Sequence, residues 1–314
     1  MSAYNPAKIR LIYIGGATNS GSSLLDLLLG NHPKITGCGE MHRLMLNPDS
    51  RLCSCGETLA VCPLWSDIIL GYEEAVGESG PRAWDKFPLN CAKNKKAVRH
   101  LPSFGELALV AGKRHLVRLL SFISPELGCY LETARNSWIL NDVIGQRTGT
   151  ECIVDSTKTT VRFKSLYLTR PDAVFLIHLI RDGRAVAASL QRRFSFSITE
   201  GAARWKRQNK NVALMAKTIP EAKVLQVHYE NLCDDPEGEL KRICEFINVE
   251  YVETMPLMGI RLPHSIPGNP MLFHPGEQIS KDERWKADLS KVDLQAFESV
   301  AGDLLEEFGY PRTS

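Results

Sequence analysis

The chain contains 314 residues, of which 44% are hydrophobic and 24% are charged, as in an ordinary folded domain. This composition excludes a disordered chain, a collagen-like chain and a disulfide-stabilised miniprotein. The 38 basic and 36 acidic residues leave a formal net charge of +2, which is too balanced for a nucleic-acid coat or a polybasic membrane anchor. Any anion that this protein binds must therefore be held by a local site.

The cysteines and the apolar segments indicate the cellular compartment of the protein. Nine cysteines leave at least one thiol unpaired, and a chain of this length favours reduced thiols over a disulfide framework. No stretch approaches the roughly 20 apolar residues of a membrane span, and no signal-peptide hydrophobic region is present. We therefore expect a soluble, cytoplasmic protein with no integral membrane part and no nucleic-acid partner. A homo-oligomer is compatible with the sequence.

Strand and helix patterns alternate along most of the chain. In chain order, the first predicted element is an unbroken apolar run at 9–15, typical of a buried parallel strand, and an apolar helical segment follows it. The alternation predicts one α/β domain over residues 1–314, a P-loop-like three-layer fold whose central, mainly parallel sheet carries helices on both faces. The predicted strands lie at 9–15, 35–36, 151–154, 173–180 and 224–227, and the predicted helices at 24–29, 157–169, 182–192, 198–218, 237–246 and 288–308.

Three segments depart from this alternation. Residues 49–100 are rich in loops and lack a steady periodicity, so we interpret them as an insertion or lid. Residues 103–147 carry a helical apolar face. Residues 254–284 contain several prolines and are predicted to form a long loop.

The insertion contains three closely spaced cysteines, Cys53, Cys55 and Cys62. Structural zinc usually uses paired C-x₂₋₄-C spacings, and a C-x-C pair with one later cysteine matches that pattern poorly. We therefore favour buried thiols or a local disulfide over zinc, and no metal site is predicted.

The most informative motif is the turn GATNSGSS at residues 16–23, between the first predicted strand and the first predicted helix. Its two glycines flank four residues, as in the phosphate loop G-x-x-x-x-G-K-[ST], where backbone N–H groups and the helix N-terminus bind an anion. Ser22 stands where that motif has its lysine, which argues against an ordinary kinase or GTPase. The alternative is a glycine- and serine-rich turn that binds nothing.

A second anion site is predicted at residues 181–189, which follow the apolar strand VFLIHLI. Arg181 lies at the carboxyl edge of the sheet, where α/β proteins bind ligands. Ser189 lies two helical turns further along, on nearly the same face. An arginine fork together with a hydroxyl can hold a phosphate group. Arg184 is either part of this site or a solvated surface charge.

Two phosphate sites on one sheet, without the phosphate-loop lysine, resemble the bacterial type of the sulfotransferase family that uses 3′-phosphoadenosine 5′-phosphosulfate (PAPS). Residues 16–23 resemble the family's 5′-phosphosulfate loop, and residues 181–189 its 3′-phosphate motif. Residues 229–237 are similar to a segment whose tyrosine lies near the adenine, and residues 281–286 to a late loop that closes over the nucleotide. The donor contacts that the resemblance implies are Thr18, Asn19, Ser20, Gly21, Ser22, Ser23, Arg181, Ser189, Tyr229, Lys281 and Trp285.

The sequence departs from the family pattern at Asn19, where members usually carry arginine or lysine just before the Ser-Gly of the loop. An amide supplies no charge, so the charge that develops on the departing phosphate needs another cation. Lys158 is our candidate because it follows a predicted strand and should lie at the same sheet edge, and Lys164 is a weaker alternative. The competing interpretation of Lys158 is a solvated lysine in the first turn of a helix.

Sulfuryl transfer also needs a base for the proton of the acceptor. The family often has a glutamate base after its second strand, and the triplet CGE at residues 38–40 is similar, so Glu40 is the predicted base and His42 the alternative. Glu40 could instead cap the next helix. His178 lies within a buried strand and is interpreted as a core histidine.

The resemblance implies an enzyme that moves the sulfuryl group of PAPS to a hydroxyl or amine of an acceptor, predicted to be a small molecule. The other product is 3′-phosphoadenosine 5′-phosphate (PAP), and no metal is required. Two alternatives stay open: a non-catalytic protein that binds PAP or PAPS, suggested by Asn19, and a degenerate P-loop kinase that uses ATP with magnesium. Acceptor specificity is expected in the insertion and in the helical region at 103–147, because loops over a fixed donor site vary most.

Overall fold

Five parallel strands form one sheet at the centre of the computed structural model, in the spatial order β2-β3-β1-β4-β5. This arrangement confirms the predicted α/β fold. Because β1 lies between β3 and β4, the loops after these three strands leave the carboxyl edge of the sheet side by side, where α/β folds bind ligands. The strands are β1 (Arg10–Gly16), β2 (Ile35–Gly37), β3 (Cys152–Lys158), β4 (Val174–Ile180) and β5 (Val224–His228).

The structure describes most of the chain, including all five strands. Residues 103–124 of the predicted helical region lie outside the described residues, as do most of residues 81–100 of the insertion. Among the helices that are described, none combines the length and the hydropathy that a membrane span needs. The described residues are 9–44, 49–80, 83, 89, 125–260, 263–273, 276 and 278–313.

Helices cover both faces of the sheet because successive residues of a strand point to opposite sides. In β1, Leu11 and Tyr13 belong to one buried cluster, whereas Ile12 and Ile14 belong to another on the opposite face. A parallel sheet that is apolar on both faces requires two covering layers, as predicted. The helices are α1 (Ser22–Gly30), α2 (Pro63–Val76), α3 (Pro125–Thr148), α4 (Thr160–Thr169), α5 (Gly183–Phe194), α6 (Ile198–Ala216), α7 (Tyr229–Asp234), α8 (Pro236–Phe246), α9 (Trp285–Asp288) and α10 (Lys291–Glu307).

The boundary between β3 and α4 differs from the prediction, which placed a helix at 157–169. Strand β3 pairs with β1 as far as Lys158, and α4 begins at Thr160. The hydroxyl of Tyr13 donates to the carbonyl of Thr159 over 2.6 Å, which anchors the turn between the two elements. Pairing with a neighbouring strand therefore overrides the local helical pattern, and it carries Lys158 to the carboxyl edge of the sheet.

Helix α2 lies within the segment that was predicted to lack periodicity, so this part of the prediction was wrong. Trp65, Ile68 and Tyr72 are spaced three and four residues apart and are fully buried against the core, which is the spacing of one helix face. At the C-terminus, the predicted helix at 288–308 corresponds to α10, which begins three residues later, at Lys291, and the short helix α9 precedes it. Ser290 sets this start because it caps α10 through a reciprocal pair of hydrogen bonds with Asp293.

Candidate active site

The turn between β1 and α1 has the geometry of an anion-binding loop. Gly21 has a φ of 93°, a conformation that favours glycine, and a Cβ atom at this position would lie 2.3 Å from the ring of Tyr229. In the described structure no side chain caps α1, so the N–H groups of its first turn face the carboxyl edge of the sheet. These donors and the positive end of the helix favour an anion.

Three buried polar atoms around this turn have no hydrogen-bond partner among the described residues. They are the amide nitrogen Nδ2 of Asn19, the hydroxyl of Ser20 and the Nε of Arg181. Most buried donors in proteins are hydrogen-bonded, and a donor without a partner calls for an explanation such as a ligand. Of these, the donors of Asn19 and Arg181 fit a site at the sheet edge that is completed by an anion.

Lys158 ends β3 beside this turn. Its ammonium Nζ donates to the hydroxyl of Ser22 over 3.0 Å, to Oε1 of Glu40 over 2.8 Å and to the carbonyl of Ser156 over 2.9 Å. The backbone of Lys158 has a φ of 70°, which costs free energy for a residue other than glycine. Ser22 occupies the lysine position of the phosphate-loop pattern, so Lys158 brings a cation from another strand to the place where that lysine is missing.

Glu40 lies between two cations in the loop after β2. It accepts from Lys158 and forms a second ion pair with Nε of Arg43 at 2.5 Å. Burial raises the pKa of Glu40, but the charge and hydrogen bond of Lys158, together with Arg43, outweigh burial and hold the pKa below its ordinary value. Glu40 is therefore a carboxylate in the free protein. In the described structure its side chain forms no cap on the short 3₁₀ helix Met41–Arg43 that follows.

His42 lies next to this ion pair, and its Nδ1 is 3.4 Å from the hydroxyl of Thr157. Burial lowers its pKa, so the imidazole is neutral near pH 7. The other histidine considered from the sequence, His178, is buried in β4 and its Nε2 lies 3.1 Å from the side-chain oxygen of Asn209. This contact supports the interpretation of His178 as a core residue.

Arg181 begins the second predicted anion site, at the end of β4. Its guanidinium donates to the carbonyl of Asn19 over 3.0 Å and to that of Asp282 over 3.0 Å. It also lies over the ring of Tyr229, 4.4 Å from the ring centroid. Arg181 thus contacts the anion-binding loop at residues 16–23, the segment around Tyr229 and the late loop around residue 282.

Two arginines that the sequence analysis missed extend this site. Arg192 and Arg193 lie in the last turn of α5, one turn beyond Ser189, and both line the same cleft as Arg181. Arg193 donates to Oδ1 of Asn19 over 3.2 Å. The spacing of three residues between Ser189 and Arg192 places both on one helix face and was the available signal. Asn19 therefore carries no charge itself but holds a neighbouring cation.

These residues surround a cleft of about 690 Å³ at the carboxyl edge of the sheet. The cleft brings most of the predicted site residues together and combines unpaired donors with several cations. The predicted residues that line it are Thr18, Asn19, Gly21, Ser22, Ser23, Glu40, Lys158, Arg181, Ser189 and Tyr229.

Some predicted donor contacts do not line this cleft. Ser20 is fully buried beneath the loop. Lys281 instead pairs with Asp234 over 2.6 Å, and Trp285 stacks on Arg184, whose guanidinium carbon is 4.5 Å from the ring centroid. The late loop reaches the cleft through residues that the sequence analysis did not single out, Asp282 and Arg284.

Arg184 is neither a cleft residue nor a solvated charge. It is buried, pairs with Asp182 over 2.7 Å and donates to the carbonyl of Pro311 over 3.0 Å. Arg184 therefore fixes the start of α5 to the C-terminal segment. Lys164, the weaker candidate for the missing cation, lines neither the main cleft nor the second one described next.

A second cleft of about 480 Å³ opens on the other side of the Lys158–Glu40 pair. Both clefts share Thr18, Glu40 and Lys158. None of the described residues of 49–100 or 103–147 lines the second cleft, although acceptor specificity was expected there. Instead, its walls come from the turn after β2, the start of α4 and helices α5 and α6, and they include Val161, Leu190, Phe194, Phe196, Arg43 and Arg204.

Comparison with known proteins identifies the family of this chain. Residues 75–253, more than half of the chain, match the sequence pattern of the sulfotransferase family. The chain belongs to the sulfotransferase family.

One relative is protein-tyrosine sulfotransferase A of Caenorhabditis elegans, 23% identical over 251 residues. That alignment covers 76% of this chain, and the chain spans about half the length of the relative.

Two solved structures share the fold. The sulfotransferase domain from the curacin biosynthetic pathway aligns with a TM-score of 0.55 and 17% identity, over 96% of this chain and 98% of that domain. A sulfotransferase from Mycobacterium avium aligns with a TM-score of 0.50 and 13% identity, over 96% of this chain and 78% of the other.

The ion pair at the centre of the site leads to a prediction about stability. Replacing Lys158 with methionine leaves a largely buried carboxylate with Arg43 alone, so burial should raise the pKa of Glu40. The ion pair stabilises the fold above the ordinary pKa of about 4.5 and is lost as the pH falls through the lowered pKa of the folded state. We expect Lys158→Met to reduce the free energy of unfolding by about 1–3 kcal/mol at pH 7.

The loss should already be smaller at pH 4.5, because the pH there reaches the ordinary pKa of the carboxyl, and the remainder disappears at lower pH, as the pH falls through the lowered pKa of Glu40 in the folded state. Urea unfolding at the two pH values measures it. Lys210→Met, on an exposed position of α6, is the matched control and should change little at either pH. An equal loss at both pH values would contradict the assigned pairing.

Proposed function

We propose that this chain is a PAPS-dependent sulfotransferase that transfers the sulfuryl group to a hydroxyl or amine of a small acceptor. The observation that carries the proposal is the position of Lys158. Its ammonium lies between the Ser22 hydroxyl at the anion loop and the Glu40 carboxylate, where the two clefts meet. A cation for the leaving phosphate and a base for the acceptor are therefore adjacent.

The donor would occupy the larger cleft. The N–H groups of the loop at residues 16–23, the hydroxyl of Ser22 and the ammonium of Lys158 suit the 5′-phosphosulfate. Arg181, Ser189 and Arg193 suit the 3′-phosphate, because an arginine fork matches the geometry of a phosphate. The ring of Tyr229, already covered by Arg181 on one side, supplies a flat surface for the adenine.

The reaction requires Lys158 and Glu40 to separate their charges. In the free protein each neutralises the other, and the lowered pKa of Glu40 makes it a weak base. We infer that the anionic donor draws Lys158 toward the bridging oxygen, so the pKa of Glu40 rises. Glu40 then takes the acceptor proton while the acceptor oxygen or nitrogen bonds to sulfur. The bond from sulfur to the bridging oxygen breaks, and its electron pair stays on PAP.

The second cleft suits the acceptor. Its volume lies within the ordinary range of small-molecule sites. Phe194, Phe196 and Leu190 form an apolar patch in a lining that is otherwise mostly polar and charged, which suits an aromatic acceptor that carries a polar group. The relative from C. elegans is named for protein tyrosine, which is a phenol. Simple phenols are therefore the first acceptors to test. A cytoplasmic location and a homo-oligomer stay predictions.

Experiments can distinguish two alternative functions from this proposal. A P-loop kinase should bind Mg-ATP, but the family membership favours a sulfate donor, and Ser22 replaces the lysine that a nucleoside triphosphate needs. A non-catalytic protein should bind PAP without turnover. Asn19, which suggested this second alternative, holds Arg193 in the cleft, so cationic charge is present there.

Binding of PAP tests the donor site. We expect PAP to raise the melting temperature strongly, whereas Mg-ATP should raise it little, because a ligand that binds only the folded state stabilises it more the further its concentration exceeds its Kd. Arg181→Lys should weaken PAP binding about 10-fold or more, since a lysine cannot form the arginine fork. Arg207→Lys, on an exposed position of α6, is the control. A shift with Mg-ATP alone would overturn the donor assignment.

Turnover tests the base. With labelled PAPS and a panel of phenols and amines, Glu40→Gln should lower kcat about 10²- to 10⁴-fold, the usual contribution of a general base. PAP should bind this variant at least as tightly as the wild type, because Lys158 no longer has to leave a carboxylate, and His42→Gln should keep most of the activity. Tight PAP binding with no turnover on any acceptor would favour the non-catalytic alternative. Greater loss in His42→Gln than in Glu40→Gln would reverse the two roles.

A further inference from the structure

Three cysteines and one histidine meet at a point that the proposed sulfuryl transfer does not use. Cys53, Cys55 and Cys62 come from the segment before α2, whereas His264 lies in the loop that follows α8. Their ligand atoms all lie within 4.8 Å of one another. Cys53 and Cys62 are fully buried, while Cys55 and His264 are partly buried.

The distances fit a tetrahedral metal site. The Nδ1 of His264 lies 3.2 Å from the sulfur of Cys62 and 3.9 Å from that of Cys53. With zinc–sulfur bonds of about 2.3 Å and zinc–nitrogen bonds of about 2.0 Å, a tetrahedron separates sulfur from nitrogen by about 3.5 Å. The two observed distances lie on either side of this value. Three thiolates and one imidazole are a common ligand set for structural zinc.

A disulfide explains this cluster less well. A disulfide joins two sulfurs and leaves the third cysteine and the histidine without a role, whereas all three cysteines are free thiols in the structure. In the sequence, a C-x-C pair with one later cysteine disfavoured zinc, and the fourth ligand lies 202 residues beyond Cys62. Only the fold brings His264 to the other three.

The local backbone also suits thiolate ligands. Cys62 precedes α2, and the backbone N–H groups of Trp65 and Leu64 hydrogen-bond to its sulfur. The N–H of Cys55 likewise hydrogen-bonds to the sulfur of Cys53. Such hydrogen bonds orient and stabilise metal-bound thiolates.

We propose that Cys53, Cys55, Cys62 and His264 form a structural zinc site that fixes the loop at residues 263–273 to the segment before α2. The proposal does not rest on the sulfotransferase assignment, because it concerns metal content and folding. Structural zinc contributes directly to folding free energy in small elements with little core of their own.

The two segments are also joined by hydrogen bonds around the cluster. The N–H of Ser54 donates to the carbonyl of Ser265 over 3.0 Å, and the hydroxyl of Ser54 donates to the carbonyl of Pro263 over 2.6 Å. The indole of Trp65 donates to the carbonyl of His264 over 2.7 Å. In the same loop, the carbonyl of Ile266 accepts a hydrogen bond from the N–H of Glu40 over 2.9 Å.

The zinc site would therefore act on the active site through the loop. Gly268, two residues beyond Ile266, leaves no room for a side chain, since a Cβ atom there would lie 2.1 Å from Oε1 of Glu40. Gly268 and the residues through Met271 line the larger cleft. A metal that holds residues 263–266 in place positions both Glu40 and one wall of this cleft.

Metal analysis tests the proposal on the full chain purified under reducing conditions. We expect about one zinc ion per chain after removal of loosely bound metal. Cys62→Ser should lose most of it, and Cys129→Ser, a partly buried cysteine of α3 outside the cluster, should keep it. The proposal is overturned if the wild type takes up no zinc even when zinc is supplied, or if Cys62→Ser holds as much zinc as the wild type.

A second measurement uses only the wild type, in case Cys62→Ser fails to fold. Replacing zinc with Co²⁺ should produce the thiolate-to-cobalt charge-transfer absorption of a tetrahedral sulfur site. Chelation should then increase hydrogen exchange in residues 263–273 and at the start of α2, with β4 unchanged. No such absorption, or mass-spectrometric detection of a Cys53–Cys62 disulfide in the freshly reduced protein, would contradict the proposal.

Discussion

The contact between Lys158 and Glu40 is the interaction on which the site depends. A lysine ammonium and a carboxylate lie 2.8 Å apart at the carboxyl edge of a parallel sheet, and both are largely withdrawn from water. Removing either partner would leave a buried charge, which is far more costly than an exposed one. Their pairing therefore holds the loop after β2 against the end of β3, and it brings the anion loop, through Ser22, into the same network.

The Lys158–Glu40 ion pair depends on how far strand β3 extends along β1. Lys158 reaches the edge because β3 continues alongside β1, and its left-handed backbone turns the chain into α4. Glu40 is held by its backbone hydrogen bond to Ile266, so the loop at residues 263–273 also belongs to the site. The proposed zinc site would fix the start of that loop at His264, two residues before Ile266. Strands, turns and loops that are distant in sequence thus converge on two side chains.

Local sequence patterns predicted the parts of the fold that local physics determines. The apolar strand at 9–15, the glycine-rich turn after it and Arg181 at the end of VFLIHLI all lie where the sequence placed them. The prediction failed where a distant partner decides the structure. Strand β3 extends to Lys158 because β1 pairs with it, and His264 joins three cysteines that lie about 200 residues earlier. Spacing rules within one segment contain no information about such contacts.

The paired charges also set the state of the free enzyme. In the proposed mechanism, the Lys158–Glu40 pair keeps the cation away from the donor, and the lowered pKa of Glu40 makes it too weak a base to take a proton efficiently. Donor binding would supply the negative charge that separates them, so the base becomes effective only when a leaving group is present. Coupling of this kind limits unproductive chemistry in the absence of a donor, and it depends on one lysine having two alternative partners.

A structure of the protein bound to PAP measures this change of partner most directly. We expect the ammonium of Lys158 to leave Oε1 of Glu40 and contact the 5′-phosphate, while Arg181 and Ser189 hold the 3′-phosphate. Glu40 should then face the second cleft with only Arg43 as its ion-pair partner. A bound PAP with the Lys158–Glu40 pair intact, and with the 5′-phosphate held by other residues alone, would contradict the proposed role of Lys158.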